Sequence, residues 1–202
     1  QSQVAAGVDA EITRLGIEHD GKGNRAKAYL YCLEVRCPET GWMVPLLPSL
    51  VISKNKKCVA KLVPNRKEKR FRIDISEGVS DKEIEQADSG GTVREGEMVY
   101  SLDHKEHRTP IKTLRGDRRV GGDTVNSLRR WTKDDVVPRP DDLFQERLYC
   151  VQWMNGDDAR DCTFKSVTDD DVAREGKILR ILRKNLEGWQ EEGLVPSMAI
   201  QP

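Results

Sequence analysis

Apolar positions along this chain change period several times, and each change marks an element. Val4, Val8, Ile12 and Leu15 recur at helical spacing, with Gly16 placed to close the helix. After the turn-rich His19–Asn24 stretch, Ala26–Arg36 is dense in Tyr, Leu and Val and predicts a strand. Trp42–Ser53 is an apolar return broken by Pro45 and Pro48, which restricts it to an edge or an irregular strand. Cys58–Val63 and Phe71–Ile75 alternate with period two around a basic loop, Pro64–Lys69, and predict a hairpin with a basic tip. Ser80, followed at the third position by Glu83, is a capping box that opens a short helix through Ala87.

The second part of the chain is less regular. Thr92–Leu102 predicts a strand pair or extended segment, and Thr109–Arg115 fits a helix or a strand equally. Gly116–Thr124 is a loop on composition, Asn126–Trp131 fits one helical turn, and Pro138–Asp142 is a rigid linker. Gln145–Met154 and Cys162–Val167 predict paired strands joined by a turn over Asn155–Asp158. Thr168 is an N-cap, and Asp169–Asp171 suit the positive end of a helix dipole. Val172, Leu179, Leu182, Leu186 and Trp189 then form a stripe assigned to the core, with Gly193 and Pro196 as the stop. The sum is an α+β fold: antiparallel β-hairpins packed with a long C-terminal helix and a short N-terminal one. One domain of 202 residues is expected, with a hairpin-rich part over 1–115 and a linker, hairpin and helix over 116–202.

Charge changes this picture through its distribution. The 34 basic and 34 acidic side chains cancel, so net charge neither argues for nucleic acid nor excludes it. From Lys54 to Arg72, however, nine Lys or Arg stand against one acid, Glu68. Two basic sets emerge: Lys54, Lys56, Lys57, Arg66, Lys67, Lys69 and Arg70 on the first hairpin, and Arg115, Arg118, Arg119, Arg129 and Arg130 around the central loop. Such residues suit duplex DNA, where phosphate contacts position the protein and a few Arg, Asn or Gln side chains at groove depth read bases. A solvated surface is the plainer reading. The sequence holds no long apolar run and opens on no signal peptide, so a cytoplasmic location without membrane contact is expected. The five cysteines (Cys32, Cys37, Cys58, Cys150, Cys162) are odd in number and widely spaced, which predicts reduced thiols. The start at Gln-Ser-Gln, without Met, suggests a piece of something longer.

Chemistry-bearing motifs are sparse. Cys37-Pro-Glu-Thr-Gly41 has the outline of a zinc knuckle with Thr40 in the second ligand position. Cys32, His104 and His107 are the remaining conceivable ligands, and no metal site is assigned. Asp141 and Glu146 loosely suggest a nuclease metal pair at unspecific spacing. The Gly-Gly pairs at Gly90 and Gly121 lack the helix signals of a dinucleotide site, and no phosphate loop is present. No nucleophile stands with a His and a carboxylate in a recognisable pattern.

Five blocks in order, RAKAYLYCLEVRCPETGWMVPLLPS, GTVREGEMVY, RTPIKTLRGD, VPRPDDLFQERLYCVQW and NLEGWQEEGLVPSM, resemble the inserted middle region of adenine-specific DNA methylases described as containing a zinc ribbon. The resemblance covers nearly the whole chain. It implies a parent that binds S-adenosylmethionine and catalyses transfer through an Asp-Pro-Pro-Tyr type motif. This chain has no Pro-Pro pair and no Phe-x-Gly-x-Gly loop, so by itself it is expected to be inactive. The family's ribbon has two C-P-x-C-G halves. Here the first keeps only Cys37, and Val99–His107, which matches the second, has no cysteine, so packing is expected to hold the hairpins instead of zinc. The implied role is DNA binding or target recognition, since base extrusion needs a grip on the flanking duplex. Its partners are duplex DNA and the methyltransferase core of the same polypeptide. A different class of function remains open: a structural domain that docks that core or another subunit through an exposed Trp42, Trp131, Trp153 or Trp189. A zinc-dependent module is the third reading.

Overall fold

The computed structural model describes residues 2–156 and 160–197. The first half runs α1 (Ser2–Leu15), β1 (Ala26–Arg36), β2 (Met43–Leu46), β3 (Val51–Ser53), β4 (Cys58–Asn65), β5 (Arg70–Ser76) and α2 (Asp81–Ser89). The second runs β6 (Val93–Arg94), β7 (Glu97–Leu102), β8 (Lys105–Pro110), α3 (Ile111–Arg115), β9 (Arg118–Val120), β10 (Asp123–Val125), β11 (Phe144–Met154), β12 (Cys162–Ser166) and α4 (Asp169–Glu191). The class is α+β with antiparallel hairpins, as the two hydrophobic periods require. Both expected caps form: Ser80 with Glu83 at α2, and Thr168 with Asp171 at α4, each closing the reciprocal pair of bonds of a capping box. The turn expected over Asn155–Asp158 falls partly on residues outside those described.

Seven strands make the main sheet in the order β12-β11-β1-β2-β5-β4-β3. Strand β1 is its pivot: one edge pairs with β11 from Ala26↔Trp153 to Val35↔Phe144, and Leu33–Arg36 pair on the other edge with β2. The proline-bearing β2 is only four residues long and meets β5 at a single parallel bridge, Met43↔Arg70, so it is the irregular strand expected but lies between β1 and β5 and not at an edge. The sheet curls until β12 reaches β5. There Ile75 N–H donates to Ser166 Oγ at 2.8 Å and Phe164 N–H to the Glu77 carboxylate at 2.8 Å. A second sheet, β6-β7-β8, is tied to the first at its start by Thr92, whose Oγ1 accepts from Leu47 N–H (2.8 Å) and donates to Pro45 O (2.5 Å). Between the sheets Val35, Cys37, Trp42, Val44, Phe71, Met98 and Tyr100 form the largest core cluster.

Glu34, near the C-terminal end of β1 where the strand is paired on both edges, is fully buried. Arg70 of β5 reaches its Oε2 through Nε (2.9 Å) and Nη2 (2.5 Å), while Nη1 of Arg147 on β11 reaches Oε1 (2.5 Å) and also Phe71 O (2.7 Å). Two guanidiniums thus compensate one desolvated carboxylate and join β1 to strands on both sides of it. A buried ion costs several kcal/mol unless its lone pairs are filled.

The structure corrects several expectations. Gly116–Thr124 is no loop: Arg118–Val120 and Asp123–Val125 pair as a hairpin. Thr109–Arg115 is divided, with strand to Pro110 and helix from Ile111. Asn126–Trp131 forms no helix. The α4 stripe is not core, for Val172 is exposed, its other members are half-buried, and the one buried side chain described in the helix is Asp171. The helix is tied by polar contacts instead: at its start Asp171 closes the cap and pairs with Arg174, whose guanidinium lies 5.3 Å over the Trp153 ring, and near its end Gln190 Nε2 donates to Lys133 O at 2.8 Å. Val4 and Val8 of α1 are exposed as well. None of the four tryptophans is exposed: Trp42 and Trp153 are buried, Trp131 and Trp189 half-buried.

Glu34→Ala should cost about 3–5 kcal/mol, because it leaves Arg147, whose side chain is only 18% exposed, without its counter-charge. Arg70→Ala, at a side chain 41% exposed, should cost clearly less. Urea denaturation measures both, and equal destabilisation would refute the assignment of Arg147 as the buried partner. The Glu83 carboxylate accepts from Ser80 N–H and from Lys61, which lowers its pKa from the usual 4.5 to about 2. Its folded value is depressed, so its contribution is complete above about pH 4.5 and is lost as pH falls toward 2. In denaturation across that window Glu83→Gln should show a shallower loss of stability than the parent; parallel profiles would remove the cap as the cause.

Candidate nucleic-acid interface

The first basic set divides between two turns at opposite ends of β4. Lys54, Lys56 and Lys57 sit in the β3–β4 turn, and Arg66, Lys67 and Lys69 in the β4–β5 turn. Eight residues of strand separate them by about 25 Å at 3.3 Å per residue, so they form no single cluster. Lys54 pairs with Asp88 (3.3 Å) and Lys57 with Asp81 (3.0 Å), both on α2. Arg66 pairs with Asp103 at the β7–β8 turn, and Arg70 turns inward to Glu34. Among the described residues, Lys56, Lys67 and Lys69 are exposed with no carboxylate partner.

The central set is equally uneven. Arg115 pairs with Asp117 beside it (Nη2 to Oδ2, 2.5 Å). Arg129 gives Nε and Nη2 to Asp142 (2.7 and 2.6 Å), and Nη1 to Asp135 and Arg130 O (2.6 and 3.1 Å). Asp135 also accepts from Arg139 (2.8 Å) and Thr132 N–H (2.6 Å). These bonds hold the Asn126–Leu143 connection in place of the expected helical turn, and they withdraw Arg129 from the set able to contact DNA. Arg118 reaches only the Ser127 hydroxyl (3.3 Å), while Arg119 and Arg130 are exposed without carboxylate partners.

The knuckle at Cys37 keeps its turn without the ligands for a metal. Cys37 N–H donates to Trp42 O (2.8 Å) and Gly41 N–H to Cys37 O (2.8 Å). Thr40 Oγ1 shares a 2.6 Å hydrogen bond with Tyr100 OH from β7. Tyr100 stacks on His107 (centroids 5.2 Å apart), and His107 Nδ1 lies 3.4 Å from Glu39. Burial alone would raise the Cys37 pKa, but donors from Tyr100, Thr40 and the Glu39 amide outweigh it and hold the thiol below its ordinary value. Burial pushes Cys32, Cys58 and Cys150 up to about 12. Cys32 packs with Leu47, Ala60 and Ile73 in a separate cluster. Among the described residues no three His, Cys, Asp or Glu side chains gather to hold an ion. The donor set therefore does not fit structural zinc, and a tyrosine–threonine bond joins the knuckle to the hairpin. Of the carboxylates that suggest a nuclease pair, Asp141 lies in an exposed turn, and its neighbour Asp142 is taken by Arg129.

Sequence reasoning missed Glu34 and Arg147. A glutamate inside an apolar strand is a visible signal, but its partners lie 36 and 113 residues away. Comparison with known protein families, curated proteins and solved structures found no match for this chain.

Arg129→Ala should lower the denaturation midpoint while leaving duplex affinity of the folded protein unchanged, measured by urea titration and fluorescence anisotropy. Weakened affinity with an unchanged midpoint would return Arg129 to the candidate DNA-contacting set. Tyr100→Phe removes the hydroxyl bonded to Thr40 and should cost about 1 kcal/mol; no change in stability would discount that bond as the link between knuckle and hairpin.

Proposed function

We propose that this chain is a non-catalytic insertion that grips duplex DNA on behalf of an S-adenosylmethionine-dependent adenine methyltransferase, with cofactor and catalytic residues carried by the rest of the parent polypeptide. The observation that carries the DNA part is the placement of Lys56, Lys67, Lys69, Arg118, Arg119 and Arg130: exposed, on turns, a hairpin and a loop, and bonded to no carboxylate. Cations already neutralised within the protein gain little from a phosphate, whereas unpaired ones release DNA counterions on binding. The ordered sequence blocks support the methyltransferase parent, and a base extruded for methylation needs a hold on the duplex around it.

A second reading has its own support. Tyr31 and Leu33 are exposed on neighbouring outward positions of β1, next to an apolar notch of about 210 Å³ lined by Leu128, Trp131, Leu143 and Phe144. A contiguous apolar surface of this kind suits docking of the methyltransferase core.

Fluorescence anisotropy with a labelled duplex at several salt concentrations separates the two. The DNA reading expects log affinity to fall with log salt, and Lys67→Ala with Lys69→Ala to reduce that slope by about 0.9 for each phosphate no longer neutralised. No binding at low salt would retire it in favour of docking.

A further inference from the structure

We infer that the β9–β10 hairpin enters the major groove of duplex DNA and reads base edges there, an inference that rests on the DNA-binding reading and names the element that supplies its specificity. The hairpin forms a two-stranded sheet of its own and pairs with neither of the larger ones. Its register is Arg118↔Val125, Arg119↔Thr124 and Val120↔Asp123. Cross-strand partners share a face. Arg118, Val120, Asp123 and Val125 therefore lie on one face, and Arg119 and Thr124 on the other. The first face meets the body only at its base, where Val125 is half-buried and Arg118 is bonded to Ser127, while Val120 and Asp123 beside the tip are exposed. The second is open to solvent.

The base of the hairpin is fixed and its tip is smooth. Gly116 ends α3 in the left-handed region (φ 68°), and a Cβ there would come within 2.7 Å of Ser127 Oγ, so the two ends of the hairpin meet closely. Ser127 N–H donates to Arg115 O at 2.8 Å. At the tip Gly121 and Gly122 both have positive φ (60° and 97°), the geometry of a tight turn matched to strand twist. Neither carries a side chain to hinder backbone approach to a base pair.

Dimensions and chemistry fit one groove. Three residues per strand project about 10 Å and the strands lie about 4.8 Å apart; the major groove is roughly 8.5 Å deep and 12 Å wide and admits a two-stranded ribbon. Arg119 offers a fork of donors to guanine O6 and N7. Asp123 can accept from cytosine N4, and the Thr124 methyl can meet thymine. Val120, 55% exposed beside the tip, adds an apolar contact that water does not reward. Lys67 and Lys69, on another turn, supply only sequence-independent charge.

The test uses the full chain. Duplexes selected from a random library are compared with scrambled ones by anisotropy for the parent protein, Arg119→Ala and Lys67→Ala, and guanine N7 reactivity toward dimethyl sulfate is mapped in the complexes. The expected result is a preference for the selected duplex that falls about tenfold or more in Arg119→Ala, with loss of protection at a guanine N7. Lys67→Ala should weaken both duplexes alike. Arg119 is exposed, so its removal leaves the fold in place. Equal weakening of both duplexes by Arg119→Ala would make it a phosphate contact and overturn the inference. Parent protein that binds both duplexes equally would overturn it too, leaving the DNA grip intact. Absence of any binding at low salt would sink the DNA reading itself and this inference with it.

Discussion

Taking a carboxylate out of water costs several kcal/mol, and this fold does so near the end of its longest pairing, where β1 is flanked by strands on both edges. Glu34 lies in β1, the strand that holds β11 on one edge and β2 on the other, and it is completed by Arg70 from β5 and Arg147 from β11. Arg147 also donates to Phe71 O, so one guanidinium satisfies both a side chain and a strand backbone. A one-residue slip of β1 would send Glu34 to the opposite face and leave both arginines unmatched. Register in the central strands is thereby tied to charge as well as to shape.

The second sheet depends on the first through different chemistry. The aromatic series Trp42, Phe71, Tyr100 and His107 runs from the knuckle turn through β5 to the β7–β8 hairpin, with successive centroids 5.2, 5.9 and 5.2 Å apart. Rings at these spacings contribute beyond their buried area. The Thr40–Tyr100 hydrogen bond lies at the same contact. Together they join two hairpins where a ribbon of thiolates would use a metal, and they do so with residues that need no particular redox environment.

The basic surface that invites a nucleic-acid reading is smaller in three dimensions than along the chain. Arg70 and Arg129 hold the protein together, Arg115 is matched by its neighbour Asp117, and Lys54 and Lys57 face the acids of α2. Within the two basic sets, the cations that remain unpaired lie on turns, on one loop and on the β9–β10 hairpin. Internal neutralisation is thus as important as placement, since a guanidinium whose donors are already filled has little left to offer a phosphate.

Local rules were legible in the sequence wherever a contact spans a few residues. The capping box at Ser80, the N-cap at Thr168, the β4–β5 hairpin, the limited β2 strand and the long β11 are all set by side chains a few positions apart, by alternation or by a proline. The sequence determined these elements and their α+β class. Tertiary structure alone decided the rest. The hydrophobic stripe of α4 implied a core, but helix periodicity says only that one face is apolar, not that a sheet covers it. Arg118–Val125 lacks an apolar alternation and gave no strand signal, yet two glycines of positive φ bring its halves into pairing. Which cations are free could not be read from their spacing either, because Glu34, Asp103 and Asp142 reach them across 36, 37 and 13 residues. Charge is written residue by residue, whereas its neutralisation is a property of distance in the folded chain.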